Sequence, residues 1–150
     1  MDKIRQGGFL ISKIHQLSGR LFAKKLKAWN VEEINPAQGR ILFCLWQNDG
    51  ISIQEVSRMT SLEKSTLTSM LDRLEASGHI RRVPSMEDRR KILIEVTDKD
   101  TSLKASYERA IREMSGIFYK DFSEQEKDIF EGYLHRIYTN LSNHKSEEDR

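Results

Sequence analysis

Apolar residues recur along this chain at helical spacing in most stretches and at strand spacing in two. Leu10, Ile14, Leu17 and Leu21 step at four, three and four, with Ile11 and Phe22 widening the stripe. That predicts a first helix over residues 8–28, broad enough to pack on more than one partner. Residues 29–34 connect it to a second helix. Asn35 is placed as N-cap, Pro36 at the first helical position and Gln38 as the return arm of a capping box. Ile41, Leu42, Leu45 and Trp46 form its core face, and Gly39, unfavourable there by about 1 kcal/mol, predicts a close helix crossing. Asn48-Asp49-Gly50 ends it. Ser52 with Glu55 reads as another capping box, opening a short helix to Met59 with Ile53, Val56 and Met59 three apart. The break at Thr60-Ser61-Leu62 has the length of a helix-turn-helix corner. Leu67, Met70, Leu71 and Leu74 then mark a helix over about 63–77; Thr60 with Glu63 is a further capping pair, so its start is open by about one turn.

Gly78 supplies a left-handed stop. The period now changes to two, predicting strands at 80–83 and 92–96 joined by a projecting tip from Pro84 to Lys91. Thr97, with Asp100 three residues on, is placed to cap a long helix carrying Leu103, Tyr107, Ala110, Ile111, Met114, Ile117 and Phe118. Ser123 with Glu126 caps a last helix with Ile129, Phe130, Tyr133, Leu134, Ile137, Tyr138 and Leu141. The polar end, residues 142–150, is expected to fray.

The helix over 63–77 has an unusual outer face. Ser65, Ser69 and Arg73 fall four apart, flanked by Thr66 and Thr68, and Asp72 is the one carboxylate among them. A merely solubilising face carries Glu and Lys instead. Short hydroxyls backed by one long cation suit a helix in a DNA major groove, where they reach phosphates or base edges and Arg pairs with guanine. Lys64, Ser65, Thr66, Thr68, Ser69 and Arg73 are therefore the expected contacts. From Arg81 to Lys91 there are five cations (Arg81, Arg82, Arg89, Arg90, Lys91) and two anions (Glu87, Asp88), a balance of +3. Two strands with such a tip make a wing. Arg89 or Arg90 is expected to enter the minor groove, with Asp88 as the ion-pair partner that fixes the tip.

The run EKSTLTSMLDRLEASGHIRR followed by EDRRKILIEVT resembles the MarR family of winged-helix regulators. The matching features are Leu74-Glu75 with Gly78, the Asp88 and Arg90 wing tip, and Val96-Thr97. The flanking helices match in number and order. The resemblance implies a mainly α (α+β) fold, a winged helix-turn-helix with N- and C-terminal dimerisation helices. It also implies a pocket between the lobe and those helices for a small aromatic or phenolic ligand, with His15, Arg20, Trp29, Trp46 and Tyr107 as candidates; core filling is the competing reading of the same residues. Some family members sense oxidants through a Cys near the start of the first helix. This chain has Phe9, Leu10 and Ile11 there, so that role is not carried over.

Length and charge add limits. At 150 residues the chain reads as one domain, with a winged lobe at about 35–97 and dimerisation helices at about 1–34 and 98–145. The flanking helices carry more apolar surface than a winged helix needs, which points to a homodimer, with a monomer bearing a helical cap as the competing reading. Such a dimer presents two recognition helices about 34–36 Å apart to an inverted repeat in double-stranded DNA. Net charge is only +2, but residues 1–30 carry seven cations against Asp2, and residues 121–150 carry eight anions against four cations. The polarity is consistent with a field along the molecule or with solvated helix faces. Cys44, between Phe43 and Leu45, is expected to be a buried thiol. No phosphate loop, nucleophile elbow or HExxH pair is present, and His15, His79, His135 and His144 lie far apart, so no enzyme, metal or cofactor is expected. No apolar run approaches the ~18 residues of a membrane span, and a cytoplasmic location is the default. The expectation is a DNA-binding transcriptional regulator, a repressor released by a ligand, with a DNA-binding or adaptor protein without ligand response as the alternative.

Overall fold

The computed structural model describes residues 2–150, Asp100 through its backbone only. Among them the elements run α1 (Gly7–Ala28), α2 (Pro36–Gln47), β1 (Ile51–Ser52), α3 (Ile53–Thr60), α4 (Lys64–Ala76), β2 (Ile80–Pro84), β3 (Ile92–Val96), α5 (Thr101–Phe118) and α6 (Glu124–Glu148). A 3-10 turn, Asp98–Asp100, precedes α5. The residues divide into two compact units, Met1–Met114 and Ser115–Arg150.

The first unit holds the core. Ile41, Leu42 and Leu45 of α2, Val56 of α3 and Leu67, Leu71 and Leu74 of α4 are all fully enclosed, together with Ile80 and Ile94 of the sheet. The predicted stripes of α2 and α4 are the sides that lost their water; on α3 Val56 is enclosed but Met59, expected on the same stripe, stays 40% exposed. Asn35 caps α2 as expected: its side chain accepts from the Gln38 backbone N–H at 2.8 Å, and Gln38 returns a bond to the Asn35 N–H. Gly39 marks the close crossing. A methyl group there would sit 2.5 Å from Cε2 of Tyr107 on α5, so only glycine lets the ring lie against the α2 backbone. Tyr107 also packs on Phe22, Trp46 and Phe43, with centroids 5.5, 5.6 and 6.3 Å away. Its burial pushes the phenol pKa up to about 12. The end of α1 is tied to α5 by a separate cluster. Trp29 Nε1 donates to Glu113 Oε1 at 2.8 Å, Lys25 pairs with Glu113 at 3.2 Å, and the Arg109 guanidinium lies 5.0 Å above the Trp29 ring. Cys44 is buried, its Sγ 3.7 Å from Met59 Sδ, and desolvation raises its thiol pKa, which disfavours the reactive thiolate.

Several local expectations need correction. The sheet has three strands in the order β1-β3-β2, not two. The extra strand is two residues long, Ile51 opposite Ile94 and Ser52 opposite Leu93, and it is hidden in the sequence because Ser52 also carries the signal of a helix cap. Only half of that capping box forms. Ser52 accepts from the Glu55 N–H, but the Glu55 carboxylate turns to Arg58 instead. Thr60 bonds within α3 and its corner, leaving α4 to begin at Lys64. Thr97 does not cap the following helix. Its hydroxyl donates to the Gly78 carbonyl at 2.6 Å; the side chain of Asp100, its expected companion, lies outside the described residues. The C-terminal end is helical to Glu148 rather than frayed, with the i,i+4 pair His144 and Glu148 in contact at 3.1 Å.

The second unit comprises the last turn of α5, a tight reversal with Asp121 at φ +66°, and α6. Phe118, Tyr119, Phe122 and Phe130 form an aromatic cluster with centroids 4.9–6.1 Å apart. The Tyr119 hydroxyl donates to Glu131 Oε2 at 2.8 Å. Ser123 and Glu126 form the predicted reciprocal cap, and the Ser123 N–H holds the Glu126 carboxyl below its ordinary pKa. No residue of α6 is buried: Ile129, Tyr133, Ile137, Tyr138 and Leu141 stand open on it. On α1, Phe9, Leu10, Ile11, Ile14, Leu17 and Leu21 are likewise exposed.

Candidate nucleic-acid interface

The surface of interest is built from α3, α4 and the β2–β3 hairpin. The α3–α4 corner turns at Ser61, which adopts φ +57°. Hydroxyls fix the bend: Ser57 Oγ donates to the Leu62 carbonyl at 2.7 Å, and Thr60 Oγ1 donates to the Val56 carbonyl at 2.7 Å. Short hydroxyl bonds of this kind replace the backbone ladder that the turn breaks. On α4, burial of Leu67, Leu71 and Leu74 forces Lys64, Ser65, Thr66, Thr68, Ser69 and Arg73 outward, and all six are exposed. Thr68 Oγ1 bonds back to the Lys64 carbonyl at 2.8 Å, so only its lone pairs and methyl group face solvent freely.

The C-terminal end of α4 is unusually well held. Gly78 takes φ +82°. Lys99 Nζ donates to the Ser77 carbonyl at 2.6 Å, while Thr97 covers the carbonyls of Gly78 and His79 through its hydroxyl and backbone N–H. The two residues leading into α5 thus satisfy three successive carbonyls that the helix end leaves open. Sequence spacing did not reveal this clasp, because Thr97 and Lys99 lie about twenty positions from their partners.

β2 and β3 pair antiparallel, Ile80 opposite Val96 through Pro84 opposite Ile92. The tip is closed by side chains. Ser85 Oγ accepts from the N–H groups of Glu87 and Asp88, and the Ser85 N–H donates to the Lys91 carbonyl at 2.9 Å. Asp88 Oδ1 accepts both the Arg90 backbone N–H and its Nε at 3.1 Å. The Arg90 side-chain and backbone bonds hold the Asp88 carboxyl below its usual pKa. Arg89 and Lys91 stand exposed beside them.

Two of the five wing cations do not belong to the tip. Arg81 pairs with Glu95 directly across the ladder at 3.0 Å. Arg82 reaches back to α4, with Nη1 on Glu75 Oε1 and Nη2 on Asp72 Oδ1, both at 2.8 Å, and its N–H on Glu75 Oε2 at 3.0 Å. Burial works against that guanidinium's charge, but the bonds from Asp72 and Glu75 outweigh it and raise its pKa. The tip balance of +3 read from sequence therefore overcounts. Among the described residues, Lys64, Arg73, Arg89 and Lys91 make no ion pair. An open cleft of about 830 Å³ separates the starts of α3 and α4 from the wing, with Lys64, Arg90 and Lys91 among its lining.

The five residues suggested for a ligand pocket are brought together only in part. Trp46 and Tyr107 touch in the core, while Trp29 belongs to the Glu113 cluster. His15 and Arg20 are exposed on α1. His15 sits two turns before Phe22 on about the same side, and Arg20 faces away from it. Among the described residues no cluster of metal-ligating side chains gathers, and no helix is long and apolar enough to cross a membrane.

Comparison with known proteins bears on this arrangement. The MarR family model matches residues 34–92, the span from the α2 cap through the wing. The chain is 26% identical to MarR from E. coli crystallised with operator DNA, with a TM-score of 0.70 over 87% of this chain and 91% of that one. The stretch from the α2 cap through the wing is thus similar to the MarR family. MarR-family proteins are DNA-binding regulators and not enzymes. Among curated relatives, the transcriptional regulator TtmR of Methylorubrum extorquens is 42% identical over 72 residues, 48% of this chain. PecS of Dickeya dadantii is 35% identical over 95 residues, 63% of this chain. The matched stretches cover 37% and 57% of those relatives' own lengths. The MarR fold extends further: PcaV of Streptomyces coelicolor, solved with its natural ligand, superposes with a TM-score of 0.74 at 21% identity, over 93% of this chain and 98% of that one.

Proposed function

We propose that this chain is a MarR-family transcriptional regulator that grips an inverted repeat in double-stranded DNA as a homodimer. The observation that carries the reading is the pairing of α4's exposed hydroxyl and Arg73 face with a wing tip whose Arg90 is pre-set by Asp88 and whose Arg89 stands exposed beside it. α4 enters the major groove with Ser65, Thr66, Ser69 and Arg73 toward the bases and Lys64 and Thr68 toward the backbone. Arg89 and Arg90 enter the flanking minor groove, where a narrow A·T tract strengthens the field. The winged lobe at about 35–97 does the gripping, and helices at about 1–34 and 98–145 pair the subunits. The open stripes of α1 and α6 support that pairing, since apolar faces of this extent are seldom left to water.

Fluorescence anisotropy with a randomised duplex library and with intergenic DNA beside the gene tests the reading. Arg90→Ala should weaken binding and lower the salt slope by about 1; an unchanged affinity and slope removes Arg90 from the contacts. A wild-type protein that stays monomeric and selects no duplex at low salt ends the reading altogether. Release by a small aromatic or phenolic ligand, and repression as the outcome, are the finer form of the proposal. Adding such anions to the bound complex decides between it and a regulator without ligand response.

A further inference from the structure

On α4, the carboxylate that the sequence marks as an exception also receives a bond from β2. Asp72 lies seven residues after Ser65, so it points within about 20° of the same direction, away from Leu67, Leu71 and Leu74. Its side chain is 64% exposed. The residues a turn before and after it, Ser69 and Ala76, are small and exposed, so a flat edge can approach the carboxylate without obstruction.

Asp72 is not a loose surface charge. Arg82 is anchored first to Glu75 by two bonds, one from its guanidinium and one from its backbone N–H. Those bonds suffice to join β2 to α4. The remaining guanidinium arm, Nη2, donates to Asp72 Oδ1 at 2.8 Å. This leaves Oδ2 as an acceptor on an exposed side chain whose rotation the bond to Oδ1 restricts. A carboxylate has only acceptors, so phosphates repel it and guanine O6/N7 or thymine O4 offer it nothing. An exocyclic amino group, cytosine N4 or adenine N6, is the major-groove feature that matches it.

We propose that Asp72, held by Arg82, is a specificity-determining residue that accepts a hydrogen bond from a base amino group in the major groove. Arg82 is then a positioning residue, not a phosphate contact. The inference rests on the DNA-binding reading above, and its test separates the two.

The experiment selects a randomised duplex library with the full-length wild type and with Asp72→Ala, Asp72→Asn and Arg82→Gln, each checked for folding by its thermal melt. Wild type should enrich cytosine or adenine at one position of each half-site, and the enriched base identifies which amino group is read. Asp72→Ala, an exposed substitution that leaves the core intact, should lose about tenfold of the preference at that position and keep the others. Asp72→Asn should admit guanine or thymine there, because its amide adds a donor. Arg82→Gln should relax the same position with its salt slope unchanged. Wild type that enriches sequences while Asp72→Ala selects the identical set overturns this inference alone. Loss spread evenly over all positions in Asp72→Ala also overturns it, by assigning Asp72 a structural role. Wild type that enriches nothing overturns the DNA-binding reading and this inference with it.

Discussion

α4 and α6 carry the same kind of apolar stripe, and the two stripes have opposite fates. On α4, Leu67, Leu71 and Leu74 are wholly enclosed by their own unit, and the helix offers water a face of hydroxyls and charge. On α6, Ile129, Tyr133, Ile137 and Leu141 remain 42–66% exposed, and no residue of the helix is buried. Helical periodicity reports that a face wants to leave water. It does not report which molecule supplies the cover. For α4 that cover is the same chain; for α6 a second copy is the proposal that removes the exposure.

Truncation on each stripe tests this contrast most strongly. Leu71→Ala should cost about 2–5 kcal/mol of unfolding free energy, read by urea denaturation at a concentration where the protein is monomeric. Under the same conditions Ile137→Ala should change stability by less than about 0.5 kcal/mol, yet weaken self-association in sedimentation equilibrium. Equal stability losses from both substitutions would break the contrast.

The α2–α5 crossing sharpens it within the first unit. Gly39→Ala relieves about 1 kcal/mol of helix propensity but drives a methyl group against Tyr107, a packing strain of about 1–3 kcal/mol. The expected result is a net loss of up to about 2 kcal/mol and a lower thermal midpoint. A rise in the midpoint would mean that the ring moves aside freely.

Caps should act alike in the two units. Asn35→Ala and Ser123→Ala each remove a reciprocal cap and should cost about 1 kcal/mol. Hydrogen exchange in the first turn of α6 should quicken only for Ser123→Ala.

The wing tip carries the smallest effect. The Asp88 carboxyl is held below its usual range, so its tie to Arg90 is intact above the ordinary aspartate pKa of about 3.9. The tie is lost as pH falls through the depressed folded value. The Arg90 amide resonance should follow that midpoint by NMR, and a midpoint at or above the ordinary value would show that the tip is not pre-set.

Much of the fold was legible from local signals. The Asn35 and Ser123 caps, the Gly78 stop, the Gly39 crossing and the change from helical to strand period each depend on residues a few positions apart. What escaped was long-range or too short. β1 is two residues long and overlaps a helix-cap signal. Arg82 looked like a wing cation because sequence counts charge without showing where a side chain turns. Thr97 looked like a helix cap, but its hydroxyl found the Gly78 carbonyl. Of the candidate ligand residues, Trp46 and Tyr107 meet, and the others lie in different surroundings that no spacing rule connects.

Sequence alone determined which stretches form the long helices and the two wing strands, which faces are apolar and which residues can bend the backbone, because those choices are made within a turn or two of chain. Tertiary structure alone decided which cations remain unpaired, what holds Asp72 and which apolar stripes stay open. Those outcomes depend on partners tens of residues away, and the chain meets them only once the core has closed.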